Sequence, residues 1–297
     1  MQKYWNIFIQ GYQGYGSYLW SEITFQYTYK PWYENYFYLL ILVSIAFLVL
    51  EWAKPWRIHQ PKFRKDFFLD MFYMFFNFFL FSLIIYNALS EVFVNIFRDF
   101  LALFNLENVV AIHIESWPFI LQLLMLFVVR DFIQWWVHRL LHRSKILWQF
   151  HKVHHSVEEM GFAAHLRYHW METVVYRTIE YVPLAMIGFG IDDFFIVHMF
   201  TLAIGHFNHS NLFVRLGVLK YIFNNPQMHI WHHAYDIPKE RKYGVNFGIT
   251  LSIWDYIFKT DYIPFDGRDI RLGFPGIEKF PDTFVKQVTY GIKETDN

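Results

Sequence analysis

Long apolar runs alternate along the chain with short, polar and often basic connections. Tyr36 to Leu50 carries no charge, and its aromatic flanks bring it to spanning length. Phe67 to Leu89 is longer, with Asp70 and Asn77 set among Phe, Leu and Ile. Pro118 to Val137 begins as a pure apolar run and acquires Arg130, Asp131 and Gln134 near its end. A bilayer core is crossed by about 20 helical residues, so each run can span. A fourth region, Thr173 to Ile204, is broken by Gly188, Gly190, Asp192 and Asp193. One straight helix would bury that break at mid-membrane, where charge is expensive. The pattern therefore predicts a helical hairpin turning near Gly190. The expected fold is all-α, a multi-pass helical membrane protein with about four to five apolar segments.

Basic residues orient these segments. Residues 51–66 carry Lys54, Arg57, Lys62, Arg64 and Lys65, whereas 91–117 carry only Arg98. The stretch from His138 to His169 holds Arg139, Arg143, Lys145, Lys152 and Arg167, and the hairpin turn holds none. The positive-inside rule then places 51–66, the His138–His169 stretch and everything after the hairpin on the cytoplasmic side. The expected membrane is the cell inner membrane in a bacterium, or the endoplasmic reticulum in a eukaryote.

Composition agrees with a lipid environment. Of 297 residues, 55% are hydrophobic and 23% aromatic, more than the core of a soluble domain of this size requires. Twenty-six basic residues balance 26 acidic ones, which argues against a nucleic-acid partner. Cysteine is absent, so disulfides, thiolate metal sites and cysteine nucleophiles are excluded. The first 35 residues show no secretory signal but many Trp and Tyr, a composition suited to the headgroup zone.

Histidine is the outlier: 13 of 15 lie between His138 and His233. His138-Arg-Leu-Leu-His142 sets two imidazoles one helical turn apart. His151-Lys-Val-His154-His155 adds a second box, and His229-Ile-Trp-His232-His233 repeats its pattern about 75 residues later. Eight imidazoles gathered on one side of a membrane protein are costly to leave desolvated and unpaired, and metal resolves that cost. Their number exceeds what one ion uses, so two metals are expected. The zinc-protease pattern is missing, since Arg139 and Ile230 follow the leading histidines. Nitrogen ligands alone do not choose iron over copper or zinc.

The segments Asp131-Phe-Ile-Gln-Trp-Trp-Val-His138-Arg-Leu-Leu-His142, HKVHHS at 151–156, Pro226-Gln-Met-His229-Ile-Trp-His232-His233, and Tyr243-Gly-Val-Asn246-Phe-Gly248 with Trp254-Asp255 occur in this order. Together they resemble the sterol desaturase / fatty acid hydroxylase superfamily over roughly residues 118–262. Lys259 stands where that family usually has glycine. The resemblance implies a non-haem centre of two iron ions (zinc can replace iron in purified protein) that activates O₂ and hydroxylates or desaturates lipid C–H bonds. It implies as ligands His138, His142, His151, His154, His155, His229, His232 and His233. His209, the isolated histidine before the last box, joins them, with His206 and His169 as further candidates. Asp131, two helical turns before His138, either accepts from a ligand imidazole or pairs with a nearby base. Asn246 and Asp255 are candidates to orient ligands in the last segment. The chain divides accordingly into 1–117, an aromatic arm with the first spanning helices; 118–262, a catalytic domain resembling the fatty acid hydroxylases; and 263–297, a cytoplasmic tail. The metals are expected in a helical cap on the cytoplasmic face.

Two other functions compete: a membrane metal transporter or metal-binding protein, and a membrane metallohydrolase. Clustering of histidines on one side, rather than along the spans, disfavours the first. An oxygenase also needs electrons, and the chain has neither cysteine for an iron–sulfur cluster nor a dinucleotide fingerprint. The expected partners are thus a membrane lipid, O₂ and a separate ferredoxin or cytochrome b5-like donor docking near Arg139, Arg143, Lys145 and Lys152.

Overall fold

The apolar runs are helical over their described residues in the computed structural model, which describes residues 1–26, 31–81, 87–106, 110–189 and 191–292; residues 82–86 of the second run lie outside these. The aromatic N-terminus is itself helical, α1 (Gln2–Ile23). Then come α2 (Tyr36–Ala53), capped by the Asn35 side chain, and α3 (Phe67–Phe75), which continues through a wider π-type turn over Phe76–Leu80. α4 (Asn87–Ala102) packs along α1, and Lys3 pairs with Asp99 across the two. The third run becomes α5 (Phe119–Arg143), a helix that continues without interruption from apolar residues into the first histidine box. α6 (Lys145–His155) follows after a single residue, Ser144.

The expected hairpin is two helices, α7 (Trp170–Ile187) and α8 (Ile191–His209). Gly190, where its turn was expected, lies outside the described residues. Three short helices complete the chain: α9 (Pro226–His232), α10 (Ile253–Ile257) and α11 (Phe284–Val288). Among the described residues there is no extended sheet, only isolated bridges such as Ala234 with Leu272.

Two helices, α2 and α5, are long and apolar enough to cross a membrane, and Phe67–Leu80 is a shorter apolar helix. α2 exposes Ile41, Leu42, Ile45, Val49 and Leu50, and α5 exposes Phe119, Ile120, Leu121 and Leu124. Apolar surface on that scale, on helices of that length, is what lipid contact requires. The chain is a helical membrane protein.

The tail beyond Pro264 is closely packed. Trp170 Nε1 donates to Val288 O (2.9 Å), Tyr73 OH donates to Gln287 Oε1 (3.0 Å), and Phe284 meets Phe72, Tyr73 and Phe76 edge-on. These contacts fasten residues 284–288 to α3, the π-type turn that follows it and α7.

Candidate metal centre

Short local signals aim each histidine. On α5, His138 and His142 are one turn apart on the inward face. Ser144 ends that helix and caps the next, its Oγ accepting from Leu147 N (3.3 Å), so the chain reverses and α6 brings His151, His154 and His155 back against α5. Asn225 caps α9 in the same way, accepting from Met228 N (3.0 Å), with Pro226 at the first helical position. α8 delivers His209 at its last turn.

These elements bring nine histidines into two groups. His138, His142, His151, His155 and His232 form one; His154, His209, His229 and His233 form the other. Within each, the ligand nitrogens lie within 4.8 Å of one another. All but His142 are buried.

The hydrogen bonds settle which nitrogen faces inward. The Nδ1 atoms of His138, His154, His209 and His232 stand 2.8–2.9 Å from the carbonyls of Phe247, Arg167, Gly205 and Val245. A carbonyl only accepts, so each Nδ1 carries the hydrogen and each neutral ring turns an Nε2 lone pair toward its group. His151 does the same through Glu172, whose carboxylate accepts from Nδ1 at 2.8 Å. Burial holds His154 down to about 4, and holds His151, His155, His229, His232 and His233 well below the ordinary histidine value. The rings are therefore neutral near pH 7.

Such an arrangement fits a metal in each group. The Nε2 atoms of His154 and His209 face each other at 3.2 Å with no hydrogen between them, a contact of two lone pairs that a cation turns from repulsion to attraction. His155 and His232 approach through Nε2 at 3.1 Å, and Nε2 of both His142 and His151 is buried without any hydrogen-bond partner. Nitrogen-only donor sets of this kind suit iron, zinc or copper rather than magnesium or calcium.

Two candidate ligands stand apart. His169 accepts from Met171 N at Nδ1 (3.1 Å), and His206 lies between Ser44 Oγ (3.1 Å) and His165 Nδ1 (2.9 Å); neither is brought into the two groups. His165, beside His206, packs so tightly on α8 that a Cβ on Gly205 would fall 2.2 Å from its ring.

The carboxylates act one step further out. Asp131 reaches neither an imidazole nor a base: it accepts from Thr250 N (3.0 Å), Leu251 N and Trp254 Nε1 (2.8 Å). Asp255 accepts from Phe247 N, Gly248 N, Thr260 Oγ1 and Trp135 Nε1, at 2.6–3.0 Å. Asn246, in the left-handed region, bonds Met228 O and Tyr262 O. The three fix the loop whose carbonyls, Val245 and Phe247, orient His232 and His138. Gly248 is required there, because a Cβ would meet Leu251 O at 2.6 Å. The sequence offered Asp131 as an acceptor for a ligand imidazole or as the partner of a nearby base, and Glu172, which holds His151, was not among its candidates. Arg167 supports the second box: its carbonyl holds His154 while its buried guanidinium pairs with Asp66, Asp70 and Ser156.

A cavity of about 220 Å³ opens from both histidine groups toward α5, α7 and α8, touching His138, His151, His154, His209 and His229 at one end.

Fold and site together define a membrane protein, helical over its described residues, built around two adjoining groups of histidines that fit metal. Residues 123–260 match the fatty acid hydroxylase family. Ornithine lipid hydroxylase OlsE of Rhizobium tropici is 30% identical over 162 residues, 54% of this chain and 48% of its own. Human alkylglycerol monooxygenase is 35% identical over 44% of this chain and 28% of its own. A very-long-chain aldehyde decarbonylase of Oryza sativa subsp. japonica is 29% identical over 47% of this chain and 46% of its own. No solved structure matches. The matched segment holds all nine clustered histidines, and it and these relatives support the resemblance to the sterol desaturase / fatty acid hydroxylase superfamily. The chain spans about half or less of the length of these relatives.

Proposed function

We propose that this protein is an O₂-dependent lipid monooxygenase, hydroxylating or desaturating a membrane lipid at a centre of two iron ions. The observation that carries the reading is the set of inward-facing Nε2 lone pairs in two adjoining groups, beside a cavity that leads into the apolar part of the molecule. Names of the relatives, a lipid hydroxylase and an alkylglycerol monooxygenase, point to the same class. Iron held by His138, His142, His151, His155 and His232, and by His154, His209, His229 and His233, would supply reductive activation of O₂. The chain's own residues do the rest. Glu172, Asp131 and Asp255 hold ring and loop geometry, and the buried Phe247 and Trp135 keep bulk water from the histidines. The lipid enters from the bilayer into the cavity, where confinement selects one carbon.

In this reading the chain is multi-pass and the centre faces the cytoplasm, as the distribution of Lys and Arg requires. Two electrons come from a ferredoxin or cytochrome b5-like carrier. Its docking face centres on Arg139, Arg143 and Lys145 rather than Lys152, whose amine is drawn inward over the Phe274 and Tyr290 rings. The test supplies purified enzyme with lipid extract, a reductase system and ¹⁸O₂. A hydroxylase adds one labelled oxygen to a lipid, and a desaturase removes two hydrogens. Equal turnover without O₂ or reductant would overturn the proposal in favour of hydrolysis.

A further inference from the structure

The end of the cavity away from the histidines is ionic. Arg130 and Gln134 on α5, Arg177 and Glu180 on α7, and His198 and Thr201 on α8 all line it. Arg130, Gln134 and Glu180 are buried. Gln134 Nε2 donates to Glu180 Oε1 (2.6 Å), and Arg130 Nη1 lies 3.4 Å from Thr201 Oγ1. Arg130 Nε is buried without a hydrogen-bond partner, with Glu180 Oε2 3.6 Å away. Arg177 forms no ion pair among the described residues. The only other carboxylate lining the cavity, Glu172, is engaged by His151.

This end of the cavity therefore sets two guanidinium groups against one carboxylate, Glu180, which faces Arg130, so its lining holds one positive charge in excess. On α5 this pole lies eight residues before His138, about 12 Å along the helix, and on α7 Arg177 lies five residues past Glu172, about 7–8 Å. The cavity thus has a cationic pole roughly 10 Å from the metal-facing rings.

We propose that this pole binds an oxyanion carried by the lipid substrate, a carboxylate or a phosphate, with Arg130 Nε and the Arg177 guanidinium as donors. The anion supplies the missing charge and fills the open donor of Arg130, and planar guanidinium groups suit either oxyanion. Its distance from the histidines sets which carbon is oxidised. The proposal rests on reading the cavity as the lipid site.

Full-length protein in neutral detergent, at mildly alkaline pH, is titrated with radiolabelled hexadecanoate, hexadecyl phosphate and hexadecanol. At least one anion binds about tenfold tighter than the alcohol, and the tighter of the two identifies the group. Arg177→Met, an exposed position, brings that anion down to the alcohol's affinity while metal content stays unchanged. Arg130→Met alone strands Glu180, so Arg130→Met combined with Glu180→Gln serves as the second variant and loses the preference likewise. Equal binding of anion and alcohol by the unaltered protein overturns the proposal, as does a preference that survives Arg177→Met. A preference lost in His154→Ala but kept in Arg177→Met would place the anion on the metals, which also overturns it. Failure of ¹⁸O incorporation, by contrast, would refute the oxygenase reading and leave these affinities as they are.

Discussion

A histidine in this chain is defined by what its second nitrogen touches. Rings whose Nδ1 donates to a carbonyl or to Glu172 keep Nε2 free to act as a ligand, whereas His206 spends both nitrogens on local partners and His169 spends Nδ1 on Met171 N. His154→Ala and His232→Ala should each lower bound metal from about two ions per chain toward one, measured by elemental analysis. His169→Ala, His59→Ala and His113→Ala should retain the unaltered protein's metal content. Glu172→Gln keeps an acceptor but loses the charge, so metal affinity should fall about 10–100-fold while folding is preserved. A different strain sits at Lys259, whose φ of +55° lies in the left-handed region that glycine tolerates. Lys259→Gly should raise stability by about 0.5–1 kcal/mol, less what glycine's freer unfolded chain takes back, and a thermal melt in detergent would register it.

At the scale of elements, the loop from Val245 to Leu251 does as much for the centre as the helices that carry the ligands. It has no regular structure of its own and is held by Asp131 from α5, Asp255 from α10 and Asn246 within it. Asp131→Ala leaves two backbone N–H groups and the Trp254 indole without an acceptor, at a cost of about 1–3 kcal/mol for each group left buried and unpaired. Asp255→Ala does the same at Phe247 and Gly248, and its effect should reach His138 through the Phe247 carbonyl. Both variants should lose metal although neither residue touches it, and an isosteric Asp→Asn change should recover only part of the loss. If either variant kept full metal content with a normal melt, the loop would not be positioning the rings. The tail is a second such element, and truncation after Pro264 should prevent stable folding by uncovering Trp170, Tyr73 and Phe150.

For the molecule as a whole, orientation and acid stability are the properties to measure. Single cysteines can be introduced freely because the chain has none. Exposed Ile146 and Lys65 on the histidine side should resist an impermeant reagent in sealed cells, while exposed Leu106 should react; labelling at 146 would reverse the topology. Acid sensitivity follows from the lowered histidine values. Below about pH 6.5 the unfolded chain binds protons at rings that remain neutral in the fold, so unfolding gains free energy as pH falls. For His154 that loss runs from about 6.5 down to about 4 and is complete only below. Metal-free protein should accordingly melt at steadily lower temperature across that interval and change little above it. The metal-bound form should resist until protons displace the metal.

Helix was legible in the sequence because an apolar run in a membrane protein has one satisfactory solution for its backbone. The histidine boxes were legible because spacings of three and four residues put imidazoles on one helical face before any tertiary contact exists. Both follow from local geometry, and the number of imidazoles led to the expectation of two metals. What belongs to which metal was not legible. His154 and His155 are neighbours in sequence yet fall into different groups, since adjacent positions on a helix point about 100° apart. Asp131 was visible as an acceptor but its partners were not, because they lie about 120 residues further on. The packing of the tail was not legible, since Trp170, Phe150 and Tyr73, which it covers, are far away in the chain. Only the packing of α5, α6, α8 and α9 decided how nine local signals became two sites, as lone-pair direction depends on carbonyls supplied by distant loops.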